Sequence, residues 1–310
     1  MYLHTDAGLM GSTPTRRLDA PVAAQLARDG DPAPGRALLP DRIARLYRHL
    51  RDLESLAPAP GVNRLFGELV NVCVRTDQSA APTVLADPRV QQLLPDLLRI
   101  CAEGESLLEQ AWAHRVIGSA DPWAELAQFP YLDNYQQLTR LEPHALAGAG
   151  HRRQQSRRVC FLGGGPLPLT AVLMHAELGT PVDVVDNRPE AVDLARRVIG
   201  RLAPGPGIRA VRADAAAADD MRRTLAGCDV VVLAALVGCT RQQKQVVLSA
   251  VGGALEAGAY LVVRSTHGLR SLLYPVVDVG DVARVAGCLP EVLVHPLGDV
   301  VNSVLVARRR

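Results

Sequence analysis

The sequence predicts an α/β protein in which an all-helical N-terminal domain precedes a mostly parallel sheet closed by a C-terminal antiparallel hairpin. Three observations carry this prediction. Between residues 39 and 146, apolar side chains recur at threes and fours, as amphipathic helices require. After a polar, basic connector at 151–156, short Val-rich runs alternate with helical stretches, the pattern of parallel α/β sheets. Two late runs are separated only by a short turn containing Pro296 and Gly298. A parallel crossover needs about a dozen residues, so these two strands must pair as a hairpin.

Length and composition fit this plan. At roughly 100–200 residues per domain, 310 residues suit two domains. A chain that is 48% hydrophobic and 21% charged is globular, not disordered. With 34 basic and 32 acidic residues the net charge is +2, which argues against nucleic-acid binding through bulk charge. Lys244 is the one lysine, a bias expected of a GC-rich genome, and Arg308, Arg309 and Arg310 read as a solvated tail. No apolar run approaches the roughly 18–20 residues of a membrane span. The N-terminus lacks the basic start and apolar core of a secretory signal, so the cytoplasm is the default. The cysteines form no CxxC and sit near no histidine pair at zinc spacing, so buried free thiols are expected and no metal.

Taken in order, residues 1–38 are rich in Pro, Gly, Asp and Ala and read as a flexible arm. Ile43, Leu46, Tyr47, Leu50 and Leu53 form the first apolar stripe. PAPG at 58–61 breaks it, and Asn63 is placed to cap a second helix with Leu65, Phe66, Leu69, Val70 and Cys73 inward. A third helix is expected near 88–97 and a fourth near 102–114. The helical domain thus spans 39–150 and the sheet domain 151–310. Strands are expected at 159–162, 182–185, 208–212, 230–233, 260–263, 291–295 and 303–306. Five parallel strands and a terminal hairpin are the order of class I S-adenosylmethionine (SAM) enzymes, a Rossmann-like sheet. A dinucleotide dehydrogenase more often ends its sheet in parallel.

The first strand runs into Gly163, Gly164, Gly165, Pro166, Leu167 and Pro168. Glycines at a strand-to-helix turn let the backbone approach a ligand, and the prolines suit a first helical turn. Asp186 ends the second strand about 20 residues further on, where a carboxylate accepts ribose hydroxyls. Asp214 follows the third strand and reads equally as a partner for an adenine amine or as a helix cap. The turn lacks GxGxxG, so a methionine-bearing nucleoside is favoured over a pyrophosphate. Glu105 and Glu109 stand four apart and share a helix face, with Leu108 and Trp112 beside it. Drying by those neighbours would raise a carboxylate toward a useful general-base pKa, whereas the bland reading is a solvated acidic face.

At this point the sequence resembles the nicotianamine synthase family. GGGPLPLT (163–170) resembles its cofactor loop, and DVVVLAALVG (229–238), including Ala235 and Leu236, its fourth strand and following loop. RSTHGLRSLLYPVVD (264–278) resembles a long family signature, and HPLGDVVNSVLVAR (295–308) the terminal hairpin. LYRHLRDLESL (46–56), VNRLFGELVNVC (62–73), CAEGESLLE (101–109) and FPYLDNYQQLTRLE (129–142) read like family segments in family order.

The resemblance implies transfer of the 3-amino-3-carboxypropyl arm of SAM to an amine, with release of 5′-methylthioadenosine (MTA). Some relatives take SAM itself as acceptor; others start from an amino acid such as glutamate or histidine. SAM is thus a substrate, and no metal cofactor is implied. The resemblance puts a functional glutamate on the CAEGESLLE helix, with Glu105 first, Glu109 second and Glu103 toward solvent. Tyr131 is carried over as a catalytic hydroxyl. Asn134 and Tyr135 are carried over to substrate binding. Arg264 and His267 follow the fifth strand at the carboxyl edge, where open α/β sheets place ligands, so they are substrate-binding candidates, Arg264 as a bidentate partner for a carboxylate and His267 as a proton acceptor or a structural histidine. Asn302, Ser303 and Asn63 look structural. Leu132 stands where the family often has a second tyrosine, a departure that bears on the acceptor. Partners are expected to be small molecules, with neither nucleic acid nor membrane, and a homodimer is admitted. Three rivals remain: a small-molecule methyltransferase, a silent SAM- or metallophore-binding protein, and a nicotinamide-dependent opine dehydrogenase.

Overall fold

The structure, a computed structural model, describes residues 38–152 and 156–310. The N-terminal arm expected over 1–38 therefore lies almost wholly outside the described residues. Helices α1 (Leu39–Arg51), α2 (Pro60–Arg75) and α3 (Ala81–Ala86) lead into the long α4 (Pro88–Gly118), the short α5 (Pro122–Leu126) and α6 (Leu132–Gly148). From there strands and helices alternate: β1 (Val159–Leu162), α7 (Leu169–Leu178), β2 (Val182–Asp186), α8 (Pro189–Leu202), β3 (Ile208–Arg212), α9 (Ala218–Leu225) and β4 (Val230–Leu233). Then follow α10 (Arg241–Ala254), β5 (Tyr260–Ser265), a 3-10 turn (Gly268–Leu272), α11 (Val279–Arg284), β6 (Cys288–Val294) and β7 (Ser303–Arg309).

The seven strands form one sheet in the order β3-β2-β1-β4-β5-β7-β6. The first five are parallel, with Val159 opposite Val182 on one side and Val230 on the other. β7 pairs antiparallel with both β5 and β6. The strand order reverses between β1 and β4, because β1 leads outward to β2 and β3 while β4 starts the other half. Open α/β sheets bind ligands at that switch point, beyond the carboxyl ends of the strands.

Three apolar clusters hold the molecule together. Alternate strand residues such as Phe161, Val184 and Val232 face α7 and α8. Their neighbours Leu162, Val185 and Leu233 face α9, α10 and α11. The third cluster joins α1, α2, α3 and the first half of α4 to Leu269 and Leu272 of the 3-10 turn and to Leu273 just after it.

Two expected helices are one. Helix α4 runs unbroken for 31 residues across Pro95, a length of about 46 Å at 1.5 Å per residue. Pro95 removes one N–H from the helix. Burial of Leu93, Leu97, Ile100 and Cys101 on either side holds the helix in register. The beginning of α4 lies in the third cluster, whereas Trp112, Ala113 and Val116 near its end lie in the first. Its middle turns are therefore fixed at both ends over the sheet edge. Gly104 lets the Phe66 ring of α2 press against that middle stretch, in space a Cβ would fill.

Two caps differ from expectation. Helix α2 begins at Pro60, one turn earlier than a cap at Asn63 requires, because proline's missing N–H is free at a first turn. Pro166 and Pro168 precede α7 instead of entering it, since its N-cap is Pro168. Both hairpin strands are longer than the expected 291–295 and 303–306.

Candidate active site

A cavity of about 620 Å³ opens at the switch point. Its floor is the glycine turn after β1, the ends of β2 and β5 and the loop after β4; its roof comes from α4 and α6. Helix α4 contributes Ala102, Glu105, Ser106 and Glu109, a three-and-four spacing that lays one face of the helix over the cavity.

The nucleoside side is built by β1 and β2. The N–H of Gly163 and that of Gly164 both donate to Val185 O, which folds the turn onto β2. Asp186 accepts from Gly165 N at 3.0 Å through Oδ2 and from Arg188 N at 3.0 Å through Oδ1. Gly165 has φ +62°, and a Cβ there would occupy the space of the Glu109 carboxylate. The third glycine thus lets an α4 carboxylate touch the turn. Gly163, Gly164 and Gly165 all line the cavity. Pro166 is buried behind them and does not.

Asp214 also lines the cavity. Its Oδ1 accepts from Ala216 N at 2.9 Å, and the helix cap is Ala217, so Asp214 closes the turn before α9 instead of capping it. Ala235 and Leu236 line the cavity from the loop after β4.

The roof carries the titratable groups. Tyr135 of α6 donates to Glu109 Oε1 at 2.8 Å. Burial, then the charge of Glu105, push the Glu109 carboxyl up to about 8, while Tyr135 and Arg188 draw it back. Burial likewise raises Glu105, against a hydrogen bond from Tyr274 and the nearby Arg264 guanidinium. The charge of Glu105 thus favours the protonated form of Glu109. Glu103 points outward and pairs with Arg99 at 3.0 Å.

Other expected residues have internal partners. Arg264 is buried on β5, and its Nε donates to Glu142 Oε1 at 2.7 Å. Its second nitrogen donates to Glu142 Oε2 at 3.2 Å and to Thr170 Oγ1 at 3.0 Å. The bidentate carboxylate partner expected from a substrate is thus supplied by α6. Asn134 lines the cavity, yet its Nδ2 donates to Asp299 O at 2.7 Å and fastens the hairpin turn to α6. Tyr131 caps α6 outside the cavity lining, with its ring against Phe129, and burial and Glu105 raise its phenol. His267 does not reach the cavity: it is exposed and stacks on His295 with ring centroids 4.3 Å apart. Trp112 packs edge-on against Phe129 instead of drying the glutamates. Leu132 packs against the first cluster.

Sequence reasoning passed over several lining residues. Tyr274, which bonds Glu105, lies inside the 264–278 signature but was not singled out there. Arg188, the N-cap of α8, reaches over the mouth to Ser106 Oγ at 2.7 Å, joining the start of α8 to α4. Glu142 carries no local signal, because its value comes from a residue 122 positions away. Asn302 lines the cavity from the hairpin, although it was read as structural. Among the described residues, no group of His, Cys, Asp and Glu is arranged to hold a metal, and no helix is long and apolar enough to cross a membrane.

Comparison with known proteins decides the family. The family model described as "Nicotianamine synthase protein" matches residues 34–310. The chain belongs to the nicotianamine synthase family. It is 38% identical to "Probable nicotianamine synthase 3" of Hordeum vulgare over 88% of this chain and 80% of that one. It is 37% identical to nicotianamine synthase 2 of Oryza sativa subsp. japonica over 88% and 83%. The solved structure of MtNAS in complex with MTA and tNA superimposes with a TM-score of 0.73 at 26% identity, covering 87% of this chain and 97% of that one. A glutamate-to-glutamine mutant of MtNAS in complex with S-adenosylmethionine superimposes at 0.71 with 28% identity, covering 87% and 98%. Relatives are thus nicotianamine synthases along nearly the whole chain, and the sheet is that of their SAM-using fold.

Proposed function

We propose that this chain transfers the 3-amino-3-carboxypropyl group of SAM to an amine, releasing MTA and making nicotianamine or a related metallophore. The observation that carries the reading is the carboxylate pair Glu105 and Glu109, held by α4 against the glycine turn of a nucleoside cleft. The family relationship supports the same reaction. In this reading residues 151–310 hold the nucleoside and residues 39–150 cover the acceptor.

The acceptor's lone pair attacks the arm carbon bonded to sulfur. That C–S bond breaks, its electron pair stays on sulfur, and the sulfonium leaves as the neutral thioether MTA. The nitrogen sheds one proton, which a carboxylate of the pair takes up. Glu105, held by Tyr274, is the first candidate base. Glu109, neutralised by burial and by Glu105, is the proton-bearing partner that Tyr135 holds in place. Tyr131, beside Glu105, tunes it from outside the lining. Asp186 is assigned to the ribose, and Asp214, Ala235 and Leu236 to the adenine side. Arg264 lines the cavity and, paired through Nε and one terminal nitrogen with Glu142, fixes α6 over β5. The reaction needs no second protein. A cytoplasmic location follows from its substrate, and a homodimer is compatible with the fold.

Incubation with SAM alone, and with SAM plus glutamate or histidine, followed by mass spectrometry, tests the reading. MTA with an aminocarboxypropyl product supports it, and the added acceptor required identifies the starting amine. S-adenosylhomocysteine would refute it in favour of methyl transfer.

A further inference from the structure

Lys244 is the only lysine in the chain and has no part in the mechanism above. It lies in the first turn of α10 and is 4% exposed. An ammonium this deeply buried needs acceptors. Its Nζ donates to Ala235 O at 2.9 Å and to Val237 O at 2.5 Å, both in the loop after β4. Burial pushes Lys244 down to about 8, yet at neutral pH it keeps its charge and holds both carbonyls. Gly238 has φ +78°, and the next stretch of backbone packs against it, with Lys244 N 2.9 Å from the position of a Cβ.

The peptide plane turns this into a statement about the cavity. In a trans peptide the C=O and N–H of one unit point in opposite directions. Drawing the Ala235 carbonyl toward Lys244 sends the Leu236 N–H the other way. The Val237 carbonyl does the same for the Gly238 N–H. Leu236 and Gly238 both line the cavity, whereas Lys244 lies behind the loop and does not. Among the described residues, neither N–H donates to a protein acceptor, although Val237 N in the same loop donates to Ala234 O at 3.3 Å. Both residues are half-buried. Two neighbouring backbone N–H groups without a protein acceptor on one cavity wall are free to meet a ligand acceptor.

We propose that Lys244 is a positioning residue for the nucleoside: it fixes two peptide planes so that the Leu236 and Gly238 N–H groups meet acceptor nitrogens of the purine ring. The inference rests on the SAM reading above and adds how the purine is recognised. A purine offers in-plane acceptor nitrogens. Lys244 touches no substrate and acts only through the loop.

Calorimetric titration of MTA and its 1-deaza, 3-deaza and 7-deaza analogues tests this, since each analogue lacks one ring acceptor. Wild type is expected to bind at least one analogue about five- to tenfold more weakly than MTA, the value of one hydrogen bond. Lys244→Met is expected to bind MTA more weakly by about the same factor and to bind that analogue as well as it binds MTA. Equal wild-type affinity for MTA and all three analogues would overturn the proposal, and this arm needs no variant to fold. So would a Lys244→Met protein that is less stable but discriminates as wild type does, because Lys244 would then be structural only. Wild type that binds neither MTA nor SAM would refute the functional reading itself.

Discussion

Substituting Gly165 by alanine should separate the cofactor turn from the catalytic carboxylates. Gly165 has φ +62°, a left-handed conformation that costs an alanine about 1–2 kcal/mol. The new methyl group would also claim the space of Glu109 Oε2. That oxygen is the end of a flexible side chain, so the carboxyl swings away instead of forcing the backbone. Swinging breaks the 2.8 Å bond from Tyr135, worth about 0.5–1.5 kcal/mol to a neutral carboxyl. Together these give a loss of about 1.5–3.5 kcal/mol in unfolding free energy. The functional loss should be larger than a backbone effect alone predicts, about 100-fold in kcat, on the scale of a displaced general acid–base group. Urea unfolding followed by circular dichroism gives the first quantity, and MTA release followed by chromatography gives the second. A Gly165→Ala protein with kcat within twofold of wild type would refute the contact between turn and carboxylate as a functional one.

Tyr135→Phe removes the bond that draws Glu109 back toward its ordinary range, so the descending limb of the kcat–pH profile, where Glu109 loses its proton, should move about one unit to higher pH. A limb that stays in place or moves down excludes Glu109 from that ionisation. Glu109→Gln should lower MTA release yet stabilise the fold at high pH. A carboxyl raised to about 8 in the folded state contributes stability below its ordinary range that is lost as pH rises through 8. Its melting temperature should therefore exceed that of wild type at pH 9, and an unchanged difference between pH 6 and pH 9 would count against a buried Glu109. Glu142→Leu leaves the Arg264 guanidinium buried without its carboxylate and should cost about 3–5 kcal/mol in urea unfolding. A loss under 1 kcal/mol would mean that water reaches Arg264. His267→Ala should leave kcat/KM within twofold, because the ring is exposed and stacks on His295.

Local patterns made the sheet legible. Val159 to Leu162 and Val230 to Leu233 are short apolar runs buried on both faces, and such strands announce themselves by composition. The hairpin followed from turn length alone. Helix α4 reads as two pieces, 88–97 and 102–114, because the local pattern lapses between them, whereas packing at both ends carries the helix through. In the site, Gly163–Gly165 and Asp186 were visible because a strand-to-helix turn has a fixed grammar. Spacing put Glu105 and Glu109 on one face but could not say which face is covered. Arg264 shows the limit most clearly, since its partner Glu142 lies on another element and neither residue's neighbours in sequence predict the pair. His267 sits in the same signature segment as Arg264, and only the turn after β5 carries it outward to the hairpin.

The two glutamates also explain why one helix has to span both cores. A base for an amine must be dry enough to hold a proton near neutral pH, and a negative charge nearby favours binding of the sulfonium cation. One isolated buried carboxyl would be neutral and could not supply that charge. Two carboxyls four residues apart on α4 divide the two tasks, because the charge of Glu105 helps to keep Glu109 protonated. The cost of burying them falls on the helix, and a short helix over an open cleft would unwind or turn its acidic face to water. Helix α4 cannot do so, because Leu97 and Ile100 anchor one end and Trp112 and Val116 the other. The apolar stripes at either end of the helix thus hold a charged face in place that the middle turns would not keep on their own.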